Sequence, residues 1–394
     1  MKILIVHNEY SIHGGEDEVV EKYFKYIQQY GINVKLYKVS NRSLNNASIV
    51  KKIHLFFKNI RMKRLEHDLS DILNEYAPDI VHIHNVYPLI TPRIYYEAKK
   101  RNIKIVQTLH NYRFICPNGL LFRNGKICEI CSERKNLFHC FINKCYRNSY
   151  LQSFWYAYMI TKARNKGWFQ FIDRFIALNP FIVNKMIENG YEKSKFVIIP
   201  NGIERTVRNK NIEKKEYLLY IGRLSNEKGI LTLIKAVNKT EYTLLIAGTG
   251  PLEQSIYDYI KNNDRVKLLE FVCGEEKEKL ISEAKAVIVP SECYDNSPTV
   301  VIESFSYGVP VIVSEIGGVQ FMVQENSNGY KFKAGNVEDL FEKINLLFQD
   351  NNYDHLCNGA LATFEEKYEK NIIMNKLIIL YNELLQEKFS GGGE

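Results

Sequence analysis

Short apolar runs alternate with longer amphipathic stretches along this chain, and the series occurs twice. The first series is Ile3–Val6, Val34–Tyr37, Ile80–Ile83, Lys104–Thr108 and Arg174–Leu178. The second is Phe196–Ile199, Tyr217–Ile221, Thr243–Ala247, Val266–Glu270, Ala286–Val289 and Val311–Val313. Runs this short and this apolar suit strands covered on both faces, the condition of a parallel sheet. Helix-like segments between them predict α/β architecture with doubly wound sheets. At 394 residues the chain exceeds one ordinary core and suits two domains. The division predicted is 1–195, carrying a cysteine-rich insertion at 112–146, then 196–370, then a helix over 371–394 crossing back. Pro200-Asn201-Gly202 and the polar stretch to Glu216 make the connection, and the glycine-rich tail Ser390–Glu394 is expected to be disordered. In such sheets ligands sit at the carboxyl ends of strands, so a ligand shared by both would sit in a cleft.

Composition narrows the partners. Hydrophobic content of 45% and charged content of 25% are those of a globular protein, and no run approaches the roughly 20 apolar residues of a membrane span. Met1–Val6 reads as a first strand rather than a signal peptide, so the expectation is a cytoplasmic chain with its eight cysteines reduced. The net charge of +8 is uneven: residues 1–180 hold 28 Lys and Arg against 14 Asp and Glu, the remainder 25 against 31. A basic half fits anionic lipid, nucleic acid or a plain lysine-rich surface; no nucleic-acid module is recognisable, and nucleic acid is not expected. Two segments suit an anionic membrane surface at the inner face of the plasma membrane. Lys51–Arg64 carries six cations and no acid among apolar residues. Tyr150–Phe171 carries both tryptophans, Trp155 and Trp168, with Lys162, Arg164 and Lys166. A helix packed on its own sheet would explain the apolar half of each but says less about the cations.

Two motifs carry chemistry. After Tyr217–Ile221 comes Gly222-Arg223-Leu224-Ser225-Asn226-Glu227-Lys228-Gly229. A glycine there lets a ligand approach the backbone, and Arg223 and Lys228 could meet one diphosphate, as a fork and a point charge. After Ala286–Val289 comes Pro290 through Glu303, with Asp295 and Glu303 separated by seven residues across a loop and about two turns of helix. Such a pair can grip two ends of a polyol, with helix N-terminal amides between them for a phosphate or hydroxyl. Singly, each residue is a common cap, turn or surface group.

With these residues the chain resembles glycosyltransferase family 4, the large retaining GT-B family of two Rossmann-like domains facing across a cleft. The resemblance spans nearly the whole chain: Gly14-Gly15, His110, Asn201-Gly202, Gly222-Arg223 with Glu227-Lys228-Gly229, and the acidic pair. It implies that Arg223 and Lys228 bind the donor diphosphate and stabilise the leaving group. Glu303 would hold the ribose, Asp295 with Asn296, Ser297 and Thr299 the donor sugar, and His110 would sit near the anomeric centre. Gly14 and Gly15 would let their loop approach donor and acceptor. The family's first glutamate is here Asp295, one methylene shorter, which bears on the sugar's identity. His7-Asn8-Glu9-Tyr10, Gly14-Gly15-Glu16-Asp17, Thr108 to Arg113 and Cys116-Pro117-Asn118-Gly119 are similar to a bacterial branch that includes surface-polysaccharide enzymes. The implied function moves a hexose-type sugar from a nucleotide-sugar, UDP-linked by family resemblance, to a glycan or lipid-linked acceptor.

No cofactor is implied for catalysis: the family commonly needs no metal, and the chain has no Asp-x-Asp. Glu16-Asp17-Glu18 imitates a metal site but opens a predicted helix, where acids suit the dipole. Cys128-x2-Cys131-x8-Cys140-x4-Cys145 spaces four thiolates as a structural zinc site would, or as small buried thiols. The rivals are a phosphorylase or nucleotide-sugar epimerase on the same fold, a noncatalytic nucleic-acid-binding protein, and a sugar-binding scaffold.

Overall fold

The computed structural model describes residues 1–10, 14–41, 67–205, 212–261, 263–349 and 353–390. The cationic stretch Lys51–Arg64 lies outside the described residues, as does the tail beyond Ser390. The chain divides into two units: residues 1–121, 129–199 and 374–394 form one, and residues 122–128 and 200–373 the other.

The first unit is built on a six-stranded parallel sheet. Its strands are β1 (Lys2–Glu9), β2 (Asn33–Ser40), β3 (Ile80–Asn85), β4 (Lys104–Leu109), β5 (Arg174–Ala177) and β6 (Phe196–Ile198), in the order β2-β1-β3-β4-β5-β6. Ile3, Leu4, Ile5 and Val6 are all fully buried, which is why β1 reads as an unbroken apolar run. The β1–β3 register shifts between Val6 and His7, so that His7 stands opposite Asn85. A shift of this kind re-aims side chains at a strand end. The C-terminal helix spans Lys370–Ser390, and its residues from Met374 belong to this unit.

The second unit repeats the plan with β7 (Tyr217–Ile221), β8 (Thr243–Ala247), β9 (Val266–Leu269), β10 (Ala286–Val289), β11 (Val311–Ser314) and β12 (Gly329–Phe332), in the order β9-β8-β7-β10-β11-β12. Leu218 and Tyr220 of β7 join one apolar cluster, which includes Leu233 and Ile234 of the helix Ile230–Val237. Leu219 joins the other, with Val301 and Phe305 of the helix Thr299–Ser306. Alternate residues of one strand thus enter opposite cores.

Two expectations change. Phe196–Ile198 pairs with Arg174–Ala177 and completes the first sheet instead of opening the second; β12, absent from the sequence reading, fills the edge of the second. Trp155 and Trp168 are 7% and 5% exposed, packed inside the first unit rather than presented to lipid. In the helix Tyr150–Asn165 the buried stripe runs Trp155, Tyr156, Met159, Ile160, Ala163, the spacing of a core-facing helix.

Candidate functional site

Each sheet has one point where its strands diverge to opposite sides, and there a crevice opens at the carboxyl ends. In the second unit that point lies between β7 and β10, and both sequence motifs follow these two strands. The loop after β7 passes through a short helical turn at Asn226–Lys228 to Gly229. Gly229 has φ of +65°, and a Cβ there would lie 1.8 Å from the Pro290 carbonyl oxygen. Only glycine lets the two loops close in this way. Glu292 and Cys293 both donate backbone N–H to the Glu227 carbonyl, at 2.9 and 3.2 Å.

The lacing brings Lys228 to Asp295. Lys228 Nζ donates to Asp295 Oδ2 at 2.5 Å, and Ser291 Oγ to the same oxygen at 2.8 Å. Burial works against the Asp295 charge, but the Lys228 ammonium and these hydrogen bonds hold its carboxyl below the usual range. Burial likewise opposes the Lys228 charge, and the Asp295 carboxylate overcomes it, keeping the amine protonated. Arg223 is exposed and makes no ion pair among the described residues. Glu303 is the fifth residue of the helix Thr299–Ser306, so it sits one turn in rather than two. Lys277, on the helix Gly274–Glu283, reaches it. Lys277 Nζ donates to Oε1 at 2.9 Å and lies 2.8 Å from Oε2, which has no aligned donor. Asn201 joins the 296–299 loop through a long bond, its Nδ2 to the Ser297 carbonyl at 3.5 Å, and its Oδ1 is buried without a partner.

In the first unit the divergence lies between β1 and β3, with β4 adjacent. Gly14 caps the helix Gly15–Gln29, and its N–H donates to Asp17 Oδ2 at 2.9 Å. Asp17 Oδ1 accepts from Tyr10 N–H at 3.3 Å and lies 2.8 Å from His7 Nε2. The acids of this first turn therefore bind the loop as well as the dipole. His110, just past β4, is half-buried, with its Nε2 2.8 Å from His84 Nδ1. His84 Nε2 is buried with no partner. A buried N–H left unmade is costlier than an unused acceptor, so the favoured arrangement protonates His84 at Nδ1, which donates to His110. His110 then carries its own proton on Nδ1. Burial lowers the basicity of both rings, His84 well below the ordinary value. The unit thus presents a neutral N–H donor at His110.

Two family models match: one described as Glycosyltransferase Family 4 over residues 13–207, the other as Glycosyl transferases group 1 over residues 203–360. The chain belongs to glycosyltransferase family 4. It is 27% identical over 208 residues to an uncharacterised glycosyltransferase of Methanocaldococcus jannaschii, covering 50% of this chain and 53% of that one. It is 26% identical over 209 residues to the capsular polysaccharide biosynthesis glycosyltransferase CapM of Staphylococcus aureus, covering 50% and 54%. The alignments thus span about half the length of these relatives. Among solved structures, Anabaena HepE in complex with UDP superposes with a TM-score of 0.66 at 16% identity, covering 97% of this chain and 100% of that one. This likeness supports the GT-B fold of two Rossmann-like domains.

Within this family member, the structure joins Lys228, Asp295, Asn201 and Ser297 around the paired loops, and gives Glu303 a partner the motifs did not name. Lys277 is 26 residues from Glu303, and no spacing rule connects them. The buried histidines of the first unit were legible in part: His82 and His84 stand two apart in an apolar strand, hence on one face. Their rings stack at 4.4 Å, and His82 bonds Tyr381 and Thr108 at 2.6 and 2.7 Å. The spacing of Cys128, Cys131, Cys140 and Cys145 does not translate into a preformed zinc cage: among the described residues no three His, Cys, Asp or Glu groups gather as metal ligands. A hydrogen bond with Cys145, reinforced by burial and by the Cys116 and Cys131 thiols, raises the Cys140 thiol above its ordinary value.

Proposed function

We propose that this chain transfers a hexose-type sugar, with retention, from a nucleotide-sugar to a glycan or lipid-linked acceptor in cell-surface polysaccharide synthesis. The observation that carries the reading is the pair of loops after β7 and β10. It sets Lys228 beside Asp295 at the divergence of the second sheet, with Arg223 exposed on the same loop. As the donor bond breaks, negative charge grows on the departing diphosphate. Arg223 and Lys228 meet that charge in the proposed step, and fixed cations stabilise it without reorganisation. Asp295, with Asn296, Ser297 and Thr299, receives the sugar; Glu303 receives the ribose hydroxyls. The UDP carried by Anabaena HepE and the capsular role in the name of the Staphylococcus aureus relative favour a UDP-sugar and a surface glycan.

The same reading keeps the chain at the inner membrane face. Among the described residues no helix is long and apolar enough to cross a membrane. Phe138, Ile142, Tyr150, Leu151 and Phe154 are exposed by 41–56%, and Lys144 lies 4.5 Å from the Tyr150 ring. Aromatics with adjacent cations suit a bilayer interface. The deciding experiment offers UDP-, GDP- and dTDP-sugars with lipid-linked acceptors extracted from bacterial membranes, and reads the product by NMR. Transfer with the donor's anomeric configuration kept is the expected result. An inverted product, or free sugar 1-phosphate formed from inorganic phosphate, would overturn it.

A further inference from the structure

The segment from His110 to Gly119 does more than deliver His110. Its backbone folds around the side chain of Arg113, which is 7% exposed. Asn111 Oδ1 accepts the Arg113 N–H at 3.1 Å. Cys116 N–H closes on the Tyr112 carbonyl at 2.8 Å, Gly119 N–H on the Cys116 carbonyl at 2.9 Å, and Tyr112 N–H on the Gly119 carbonyl at 3.1 Å. Gly119 takes φ of +80°, and a Cβ there would press to 3.0 Å from Arg113 Cγ. The glycine serves both the turn and the passage of the arginine stem.

A guanidinium has five N–H donors and stays charged, so burying one calls for compensating acceptors. Arg113 has few. Its Nη1 donates to Asn85 Oδ1 at 3.3 Å, and its Nε is buried without a partner. Among the described residues it forms no ion pair with any carboxylate. The Tyr10 and Tyr156 rings lie 5.1 and 5.5 Å from its carbon, giving cation–π contacts. Glu16 lies near enough to act on the Arg113 charge without an ion pair; its Oε2 accepts from Tyr10 OH at 2.8 Å and Asn111 Nδ2 at 3.3 Å, and its Oε1 is buried without a hydrogen-bond partner. Arg113 also lines a cavity of about 10 Å³ with His84, Asn85, Gln107, His110 and Asn111, room for roughly one water-sized atom.

We propose that Arg113 is the anion receptor of an acceptor subsite in the first unit, taking an oxygen of a phosphate or carboxylate into this cavity beside His110. Calling it an acceptor subsite rests on the glycosyltransferase reading; the anion site itself rests on the geometry. Two sources share this chemistry: the diphosphate of a lipid-linked acceptor and the carboxylate of an acidic sugar. Inorganic pyrophosphate and glucuronate stand for them, with glucose as the neutral control.

The test uses the full-length ¹⁵N-labelled chain in saturating UDP, which keeps the probes from the donor loops. The Arg113 Nε–H resonance is identified by its disappearance in Arg113→Lys. A saturable shift of this signal with pyrophosphate assigns the lipid-linked diphosphate, and one with glucuronate assigns the acidic sugar. Glucose leaves the signal in place. By calorimetry, Arg113→Gln binds the effective anion at least about tenfold more weakly, as loss of a charge-assisted fork requires. No shift with either anion, or undiminished binding by Arg113→Gln, overturns the site. Should the variants fail to fold, as judged by tryptophan fluorescence, nuclear Overhauser contacts to the Tyr10 and Tyr156 rings identify the Arg113 Nε–H in the unsubstituted chain, and the same titration decides. If UDP does not bind while the anion does, the donor reading fails and the Arg113 site stands.

Discussion

The two sheets apply one rule with different electrostatics. Both are six-stranded and parallel, and both gather polar residues where their strands diverge. In the second unit the residues there are charged: Lys228 on Asp295, Glu303 on Lys277, Arg223 left open. In the first, imidazoles held neutral by burial stand beside the charged Asp17 and Arg113; His82 is pushed down to about 3 by burial and by the neighbouring His110. Paired charge keeps an anion-receiving surface ready, because the cation is ionised before the ligand arrives. Neutral imidazole instead offers a hydrogen bond whose direction is set by its neighbour and whose strength does not depend on counter-ions. The comparison teaches that two crevices placed alike at strand ends leave their charge state to the surrounding side chains.

The sharpest break comes from the cations of the second unit. Arg223→Ala and Lys228→Ala should each lower turnover by about 10²–10³, measured by steady-state kinetics. They should differ in stability. Arg223 has no ion pair to lose among the described residues, so its variant melts normally. Lys228→Ala strands the Asp295 carboxylate and costs about 1–3 kcal/mol. Near-normal turnover in both variants would remove the diphosphate assignment.

Acid should then separate the units. His82, His84 and His110 are less basic in the fold than in the unfolded chain, so the unfolded state binds more protons on acidification. Their contribution is therefore complete above the unfolded value of about 6.5 and is lost as pH falls below it toward the folded values. Between pH 7 and 5 His82, pushed down to about 3, should alone cost about 2 kcal/mol. Both tryptophans belong to the first unit, so the fluorescence melting temperature reports it selectively. The second unit has one histidine, His355, which is exposed; amide exchange in β7 and β10 should move far less. Equal acid sensitivity in both units would undo the contrast.

Smaller effects refine it. Glu303→Ala should weaken nucleotide binding about tenfold, the scale of a lost hydrogen bond to a charged group, with less change in the bound-state rate; calorimetry with UDP reads this. Asn201→Ala removes a long bond of 3.5 Å and should shift stability or affinity by less than about 1 kcal/mol. A larger loss would mean that its unpartnered Oδ1 meets the ligand.

Much of this was legible in the chain itself. Ten of the twelve long-sheet strands announce themselves as short apolar runs in the correct half; burial on both faces leaves little choice of side chain in central strands such as Ile80–Asn85, while the edge strand Asn33–Ser40 is mostly open. Gly222 to Gly229 and Asp295 to Glu303 are contiguous motifs, so local spacing found them. Phe196–Ile198 and Gly329–Phe332 show the limit: a run's sheet partner, or a three- to four-residue edge strand, is decided by neighbours distant in sequence. The same holds for the site. That Lys228 would meet Asp295 across 67 residues, Lys277 meet Glu303, His84 meet His110, and Arg113 be buried without an ion pair among the described residues follows only from how the loops close. The sequence determined which elements form and which chemistry they carry, because burial and turn geometry are local demands on residue type. The tertiary structure decided which charges are paired, which rings stay neutral and which donor is left open, because those depend on groups that folding alone brings within a few ångströms.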